Sequence, residues 1–357
     1  MSDHAEELTV LLDEAEVDLL LVTELVNVRY LTGYTGSNGL ALVGDELRIF
    51  ATDFRYREQV VEEVDPSFDR REVPRDLVKA LSDVLPDGPV RLGFEAGHMS
   101  VRDFNRIREQ LPERIELVAT DGLPERLRAI KGADEVARIR AAAAVADEAF
   151  RTVVGAGLVG RTEREVALAL EVEMRRAGAL RPSFDSIVAA GPHGAMPHAQ
   201  PRDVEIGRGQ LVVIDWGAEV DGYCSDCTRT VATGELDGRA NEVYSLVLDA
   251  QLAGLGAVAA GIVCREVDSA ARMVIDSAGY GEQFGHGLGH GVGLEIHEAP
   301  NLSQSYDGSL EDGNVVTVEP GIYLPGEFGV RIEDLVVARL DGPEILTEIG
   351  KELTVVD

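Results

Sequence analysis

Lysine is almost missing from this sequence of 357 residues, where it occurs only at Lys79, Lys131 and Lys351. Acidic residues outnumber basic ones by 64 to 33, which gives a formal net charge of −31. A field of this sign repels nucleic acid, so the composition excludes a nucleic-acid-binding protein. Self-repulsion of this size is relieved by concentrated salt, because the Debye length falls to roughly 3 Å near 1 M. The composition therefore predicts a halophilic protein that works in a high-salt cytoplasm.

Long apolar runs and cysteines are also scarce. No stretch reaches the roughly 18 apolar residues of a membrane span, and the first residues lack the basic flank of a signal peptide. The three cysteines are an odd number, which is typical of a reducing compartment. Cys224 and Cys227 have the spacing of a redox pair, but on one strand they would point to opposite faces, so we interpret them as packing residues. We expect a cytoplasmic protein without membrane contact.

The first part of the chain, 1–125, has the alternating helix and strand pattern of an α/β domain. A buried strand is predicted at 17–22, and two further strands, 40–43 and 47–51, are expected to pair across a turn. No concentrated set of His, Cys or acidic residues occurs in this part, so we assign it no chemistry of its own. The remaining predicted elements are helices at 6–16, 54–63, 75–84 and 101–111 and strands at 90–93 and 115–119.

The second part, 126–357, repeats one order of elements. A long helix capped by Asp134 is followed by a second helix with a capping box at Thr162 and Glu165. Helices predicted at 241–260 and 266–277 form the corresponding pair further on. Each helix pair is followed by an acidic hairpin. The pattern therefore predicts two pseudo-equivalent halves with a ligand site at their interface.

The first hairpin carries Asp215 and Asp226 on either side of the turn signal Asp221-Gly222. With the turn centred near Val220 and Asp221, the two carboxylates would face each other directly, with Cβ atoms about 5 Å apart. Like charges so close together require a cation between them or a shared proton. The alternative is two solvated acids beside a surface turn.

The second hairpin carries Glu319 and Glu333, which are predicted to lie opposite each other to within one residue. Between the hairpins stands the stretch GHGLGHGVGLEIHE, whose glycines let backbone approach a metal or substrate closely. It contains His286, His290 and His297, three of the seven histidines. Four carboxylates with one imidazole favour two divalent ions, manganese or cobalt rather than a structural zinc. The alternative for the histidines alone is a solvated loop.

These residues resemble the pita-bread metallopeptidases, and among them the Xaa-Pro dipeptidases (prolidases) and aminopeptidase P. The segments NVRYLTG at 27–33 and TDFRY at 52–56 are similar to the creatinase-type N-terminal domain of those enzymes. KGADEVARIR at 131–140 is similar to the opening helix of their catalytic domain. The resemblance implies a creatinase-like α/β N-terminal domain over 1–125, an α+β pita-bread catalytic domain over 126–357, and a homodimer.

The resemblance also implies the metal ligands. Asp215 would bind one ion, Asp226 and Glu333 would bridge both ions, and His290 and Glu319 would complete the second site. A hydroxide held between the two ions would attack the bond before proline. The substrates would be small peptides with proline at the second position.

The other roles that the resemblance implies concern substrate and proton transfer. His198 and His297 would donate hydrogen bonds to the scissile carbonyl, where one good donor contributes about 3–4 kcal/mol. Glu319 could also carry a proton to the leaving nitrogen. His286 would line the proline pocket, and Arg331 would orient a neighbouring carboxylate or meet that of the substrate. Without the resemblance, His198 fits a solvated loop and Arg331 a salt bridge to the acids.

One position departs from the family pattern. Some archaeal prolidases carry an arginine four residues past the histidine that aligns with His297, where it can bind a dipeptide's free carboxylate; this chain has Asn301. Our primary hypothesis is a Xaa-Pro dipeptidase, and aminopeptidase P acting on longer peptides stays open. From other classes, a non-catalytic pita-bread module or metal-free creatinase-like C–N hydrolysis would not need the five ligands. His193 lies outside these patterns, and we interpret it as a surface residue.

Overall fold

The computed structural model describes residues 3–357. They form two compact units, the first ending at Arg128 and the second beginning at Ala129. No helix in this described range is both long and apolar enough to cross a membrane.

The first unit is built on a six-stranded sheet with the strand order β4-β3-β2-β1-β5-β6. Its strands are β1 (Leu19–Val22), β2 (Leu40–Gly44), β3 (Arg48–Thr52), β4 (Asp69–Glu72), β5 (Val90–Glu95) and β6 (Ile115–Thr120). Its helices are α1 (His4–Glu14), α2 (Leu25–Thr32), α3 (Arg57–Glu63), α4 (Leu77–Val84) and α5 (Val101–Gln110), and α6 (Leu123–Ala129) follows in sequence. β1 pairs antiparallel with β2 and parallel with β5, so this is a mixed sheet.

Most of the predicted elements of this unit are present, including the hairpin of β2 and β3. Three elements were missed in the sequence: α2, β4 and α6, the last of which lies where a connecting segment was expected. α2 is only 8 residues long and its N-cap residue, Glu24, makes no side-chain capping bond, so it lacks the usual start signal. β4 has the polar sequence DRRE and lies at the sheet edge with largely exposed side chains, so it shows no apolar alternation.

The second unit contains two helix pairs, each followed by strands. The helices are α7 (Ala133–Gly155), α8 (Glu163–Arg176), α9 (Gly238–Ala257) and α10 (Cys264–Ser277). The strands that follow α8 are β7 (Arg181–Pro182), β8 (Ile187–Ala190), β9 (Leu211–Trp216), β10 (Ala218–Val220), β11 (Tyr223–Cys224) and β12 (Cys227–Ala232). Those that follow α10 are β13 (Gly289–Gly291), β14 (Glu298–Leu302), β15 (Val315–Val318), β16 (Gly321–Leu324), β17 (Phe328–Arg331), β18 (Asp334–Arg339) and β19 (Gly342–Ile345).

Each helix pair packs on its own strands. Buried residues of α7 and α8 form one apolar core with those of β8, β9 and β12. Buried residues of α9 and α10 form another with those of β15 to β18. The sheets have the orders β11-β10-β7, β12-β9-β8, β14-β13-β15-β18-β19 and β16-β17. The repeated order of elements that the sequence predicted is therefore present.

The helix starts agree with the sequence in one case and differ in the other. The capping box at Thr162 and Glu165 is formed at the start of α8. The start of α7 was predicted wrongly, since its N-cap residue is Gly132 rather than Asp134. The carboxylate of Glu135 accepts a hydrogen bond from the backbone nitrogen of Gly132 at 2.9 Å, so a side chain three residues further on closes this terminus.

Candidate metal centre

The turn of the first hairpin is centred one residue later than the sequence predicted. Asp221 and Gly222 both have positive φ, 49° and 83°, as a two-residue hairpin turn requires. Val220 therefore pairs with Tyr223 across the turn.

This turn changes the residue that faces Asp215. Asp215 pairs with Thr228, so the prediction that it faces Asp226 directly is wrong by two residues. Because side chains alternate with a period of two, this shift keeps Asp226 on the same face of the hairpin as Asp215. Both side chains line one cavity.

The second hairpin has the register that the sequence predicted. The ladder of β15 with β18 and the ladder of β16 with β17 share one register, and the hairpin is interrupted between them. Glu319 and Glu333 lie opposite each other at this interruption, where neither carboxylate-bearing residue belongs to a regular strand. The interruption lets both side chains turn into the cavity.

His290 lies on β13 and faces the carboxylates. Its Nε2 atom is 3.5 Å from Oδ2 of Asp226 and 3.5 Å from Oε1 of Glu319. Its Nδ1 atom donates to the carbonyl of Gly291 at 3.1 Å, which leaves Nε2 as the acceptor nitrogen of a neutral ring. Burial, aided by the charge of His297, lowers the pKa of His290 to about 4, so the ring is neutral at pH 7, as a metal ligand must be.

The glycines beside His290 are required by the neighbouring strands. A Cβ atom on Gly289 would lie 1.9 Å from the carbonyl oxygen of Thr317, and one on Gly291 would lie 2.3 Å from that of Ala299. The sequence predicted a close backbone approach here, and the approach is to adjacent strands of the sheet. Glycine at these two positions therefore allows β13, which carries His290, to lie close to β14 and β15.

Asp215 is held by Arg331. The Nη2 atom of Arg331 donates to Oδ2 of Asp215 at 2.7 Å, while Oδ1 of Asp215 is buried without a hydrogen-bond partner among residues 3–357. The other nitrogens of Arg331 donate to Thr228, Tyr323 and Pro197. This arrangement favours the salt-bridge interpretation of Arg331, which reaches Asp215 directly.

The nearest link between Arg331 and Glu333 runs through a threonine. The hydroxyl of Thr228 donates to Oε2 of Glu333 at 2.8 Å and accepts from Nε of Arg331 at 3.0 Å. The prediction that Arg331 orients the neighbouring carboxylate therefore applies to Glu333 only through Thr228.

The carboxylates are crowded, and the positive charge of Arg331 compensates their repulsion only in part. Burial, together with repulsion from the neighbouring acids, raises the pKa of Asp226 and Glu333 well above their ordinary values. Burial also raises the pKa of Glu319 to about 7, although Arg331 opposes this rise. A divalent cation would remove both the repulsion and the desolvation cost. Oxygen-rich donors, a neutral imidazole and the unpartnered oxygen of Asp215 therefore fit a divalent metal centre.

The most compact part of this set consists of Asp226, His290 and Glu333. Each offers one ligand atom, and these atoms lie within 4.8 Å of one another. That spacing allows one cation to contact all three at once.

His286 lies in a chain of hydrogen bonds beside the acids. Its Nδ1 atom donates to the carbonyl of Gly287 at 2.8 Å, so its Nε2 atom accepts from the hydroxyl of Tyr323 at 3.0 Å. Tyr323 in turn accepts from Nη1 of Arg331 at 2.9 Å. Burial, with the charges of Arg331 and Arg272, lowers the pKa of His286 to about 4. The ring is therefore neutral and presents an apolar face, as a wall of a proline pocket would.

The remaining histidines differ in their surroundings. His198 and His297 are exposed side chains on the cavity wall, and the rings of His297 and His290 are 4.3 Å apart between centroids. Burial and the charge of His198 lower the pKa of His297. The interpretation of His193 as a surface residue is wrong, because it is buried and its Nδ1 atom lies 2.9 Å from a carboxylate oxygen of Glu163.

One cavity of about 1150 Å³ brings the candidate residues together. Its wall includes every residue that the sequence singled out for chemistry: His198, Asp215, Asp226, His286, His290, His297, Glu319, Arg331 and Glu333. Asn301 lies on the same wall.

Sequence reasoning missed three polar residues of the site. Thr228 and Tyr323 connect Arg331 to the rest of the site, and Thr317 accepts from the backbone nitrogen of His290 at 3.1 Å. Thr228 and Thr317 each lie two residues from a candidate acid, on the same strand face. That spacing is the signal that could have identified the two threonines, whereas nothing local distinguishes Tyr323.

Comparison with known proteins gives matches over both units. Residues 137–339 match metallopeptidase family M24, and residues 5–130 match the creatinase/prolidase N-terminal domain. The Xaa-Pro dipeptidase of Pyrococcus furiosus is 37% identical over 357 residues, which cover 99% of this chain and 100% of that protein.

Two solved structures show the same similarity. The Xaa-Pro dipeptidase from Bacillus anthracis is 39% identical, with a TM-score of 0.95 and 99% of each chain covered. The X-Pro aminopeptidase from Thermotoga maritima is 38% identical, with a TM-score of 0.89, covering 96% of this chain and 100% of that one.

Proposed function

Because the chain belongs to metallopeptidase family M24, we propose that it hydrolyses the bond before proline in Xaa-Pro dipeptides. Family membership makes it a metal-dependent peptidase. Its fold is the one that the sequence predicted, a creatinase-type N-terminal domain followed by a pita-bread catalytic domain. The observation that carries the proposal is the convergence of four carboxylates and the neutral imidazole of His290 on one cavity.

Membership of the family implies divalent metal ions, and we propose two of them, manganese or cobalt. The residues that would hold them are Asp215, Asp226, His290, Glu319 and Glu333. When bound, the ions supply Lewis-acid chemistry and activate water at neutral pH. Hard oxygen donors with one nitrogen support this choice of metals.

The chain's own side chains would bind the substrate and move its protons. His198 and His297 stand on the cavity wall, where each would donate a hydrogen bond to the scissile carbonyl oxygen as negative charge develops there. Glu319 would transfer a proton to the leaving nitrogen of proline. His286 would pack against the proline ring.

Several further features belong to the same proposal. We expect a homodimer that acts in a high-salt cytoplasm on small peptides, without membrane or nucleic-acid partners. We also keep the division of the chain into a creatinase-like domain over 1–125 and a catalytic domain over 126–357. The charge of −31 supports the high-salt setting.

An aminopeptidase that removes the first residue of longer Xaa-Pro peptides is the second candidate. Two observations favour it: the similarity to an X-Pro aminopeptidase, and Asn301 on the cavity wall, where an arginine could have bound a dipeptide's carboxylate. A non-catalytic module is disfavoured, because all five candidate ligands are present and line one cavity.

Substrate length separates the two candidates. We would compare kcat/KM for the dipeptide Ala-Pro and the tripeptide Ala-Pro-Ala, with added Mn²⁺ or Co²⁺ and with a chelator. A dipeptidase releases proline from Ala-Pro and leaves the tripeptide largely intact. Efficient release of alanine from the tripeptide would instead establish the aminopeptidase, and metal-independent or absent hydrolysis of both would refute the proposed function.

A further inference from the structure

Glu163, the first residue of α8, is a fully buried carboxylate outside the metal centre. Its Oε1 atom accepts from the backbone nitrogen of Ala190 at 2.9 Å and from Nη2 of Arg202 at 3.0 Å. Its Oε2 atom accepts from the backbone nitrogen of Arg202 at 3.0 Å and from Nε of the same residue at 3.1 Å. The ring of His193 completes the set, with Nδ1 at 2.9 Å from Oε2. One carboxylate thus gathers donors from three residues.

These donors lie at both ends of one loop. Ala190 is the last residue of β8, His193 lies in the short 3-10 turn that follows, and Arg202 lies twelve residues beyond Ala190. His198 lies in this loop of residues 190–202, eight residues beyond Ala190, on the cavity wall. The carboxylate of Glu163 therefore links the two ends of the loop that carries His198.

The opposite side of the loop rests against β17. Arg331, at the end of that strand, donates from Nη1 to the carbonyl of Pro197 at 3.2 Å. The backbone of Gly194 packs so closely on Gly329 that a Cβ atom on Gly329 would lie 1.9 Å from the Gly194 oxygen. The loop is therefore held on two sides, by β17 along its length and by the carboxylate of Glu163 at its two ends.

The hydrogen-bond donors around Glu163 stabilise the ionised form of its carboxyl group. Burial by itself would raise the pKa of this carboxyl, but the hydrogen bonds from Arg202, Ala190 and His193 lower it below its ordinary value. An ionised carboxylate accepts from all of these donors at once, whereas a glutamine of the same shape brings two donor hydrogens of its own. Replacing Glu163 by glutamine therefore changes the hydrogen bonding of the loop with little change in volume.

We propose that Glu163 is a positioning residue that holds the His198 loop so that the imidazole meets the scissile carbonyl. This inference rests on the proposed function, because it assigns His198 the role of a hydrogen-bond donor to the substrate. Positioning matters for such a donor, since a misplacement of about 1 Å can cost on the order of 100-fold in rate.

A double-mutant cycle tests the proposal. We would measure kcat, KM and metal content for wild type, Glu163→Gln, His198→Ala and the double variant, on a Xaa-Pro dipeptide at saturating Mn²⁺. We expect Glu163→Gln to lower kcat by about 10-fold in the wild-type background but by less than about 2-fold when His198 is already alanine. Its KM and metal content should change by less than about 2-fold, because the metal ligands are untouched.

A matched control is available in the same unit. Glu219 is also buried and pairs with Arg181 at 2.6 Å, so Glu219→Gln alters a buried carboxylate away from the loop and should leave kcat unchanged. An equal loss of kcat from Glu163→Gln with and without His198, or no loss at all, would overturn the proposal. If Glu163→Gln does not fold, Arg202→Gln enters the same cycle with the same expectations, since the Arg202 side chain is 47% exposed.

Amide hydrogen exchange separates this proposal from the proposed function. The backbone amides of Ala190 and Arg202 should exchange faster in Glu163→Gln than in wild type or Glu219→Gln, whatever the substrate of the enzyme. If wild type cleaves no Xaa-Pro peptide, the proposed function fails, and unchanged exchange at these two amides would show independently that Glu163 does not anchor the loop.

Discussion

The Nε2 atom of His290 lies 3.5 Å from Oδ2 of Asp226, two side chains that belong to different halves of the catalytic unit. Asp226 follows α7 and α8 in the chain, and His290 follows α9 and α10. A cation bound between them would therefore tie the two halves together. Measuring bound metal, in addition to activity, therefore tests directly whether these side chains form a metal site.

Asp226→Ala and Glu333→Ala should release bound metal and abolish hydrolysis, because each removes a central carboxylate of the set. His297→Ala should retain metal and lower kcat by about 100- to 1000-fold, the usual effect of losing one transition-state donor. Metal content by elemental analysis, measured beside kcat, checks both statements. Loss of metal in His297→Ala to the same extent would show that the roles of His290 and His297 are exchanged.

The sequence predicted that the acids of each hairpin lie close together because their positions follow local rules, and all four line one cavity. The period of two along a strand places Asp215 and Asp226 on one face whether the register is right or displaced by two residues. For Glu319 and Glu333 the turn was located correctly, and the predicted register is the observed one. The error in the first hairpin came from the turn geometry at Asp221 and Gly222, which moved its centre by one residue.

Contacts between distant segments could not be predicted in this way. Glu163 and His193 are 30 residues apart, and no periodic pattern connects a helix start with a buried loop histidine. A salt bridge from Arg331 to the acids was one interpretation of the sequence, yet its partner Asp215 lies 116 residues away. Such pairings depend on how helices and strands pack, and a single sequence carries no local signal for them.

Asp147 should make stability depend on pH in a way that its amide variant does not. Its Oδ1 atom is buried without a hydrogen-bond partner in the described part of the chain, and burial raises its pKa from 3.8 to about 6. The folded state therefore holds this proton more tightly than the unfolded chain does. The stabilisation is full below pH 3.8 and is lost as the pH rises to about 6.

Denaturant unfolding of wild type and Asp147→Asn from pH 4 to 7 measures this effect. The variant should gain stability relative to wild type across that range, by up to about 3 kcal/mol from two units of pKa shift, and the difference should level off above pH 6. Other titrating groups cancel in the comparison. Asp341→Asn, at an exposed position, is the control for removing one carboxylate. Curves for Asp147→Asn that run parallel to those of wild type would refute the argument.

Lys131 should stabilise the fold through Glu298. Its Nζ atom lies 3.1 Å from Oε2 of Glu298, and the two side chains are 1% and 5% exposed. Lys131→Met leaves a buried carboxylate without this cation, which costs about 3–5 kcal/mol in comparable pairs. Adding Glu298→Gln to that variant should recover part of the loss, because the buried negative charge is then removed.

Chemical denaturation of these variants checks the prediction for Lys131. The exposed pair of Arg239 with Glu327, whose side chains are 50% and 44% exposed, provides the control, and Arg239→Met should change the free energy of unfolding by less than about 1 kcal/mol. A double variant that is less stable than Lys131→Met would contradict this prediction. It would mean that the carboxylate of Glu298 stabilises the folded protein even without Lys131.

Salt should stabilise the protein by screening its own charge. With 64 acidic and 33 basic residues, repulsion acts against the compact state at low ionic strength, and the Debye length falls from about 30 Å at 0.01 M to about 3 Å at 1 M. The thermal midpoint should therefore rise from low to molar KCl. Each 1 kcal/mol of stabilisation raises the midpoint by about 2–4 °C in a domain of roughly 150–250 residues. Sucrose of equal osmolarity separates screening from general exclusion of solutes, because it leaves the Debye length unchanged. A midpoint that is unchanged by KCl, or that rises equally in sucrose, would remove the physical basis for expecting a high-salt cytoplasm.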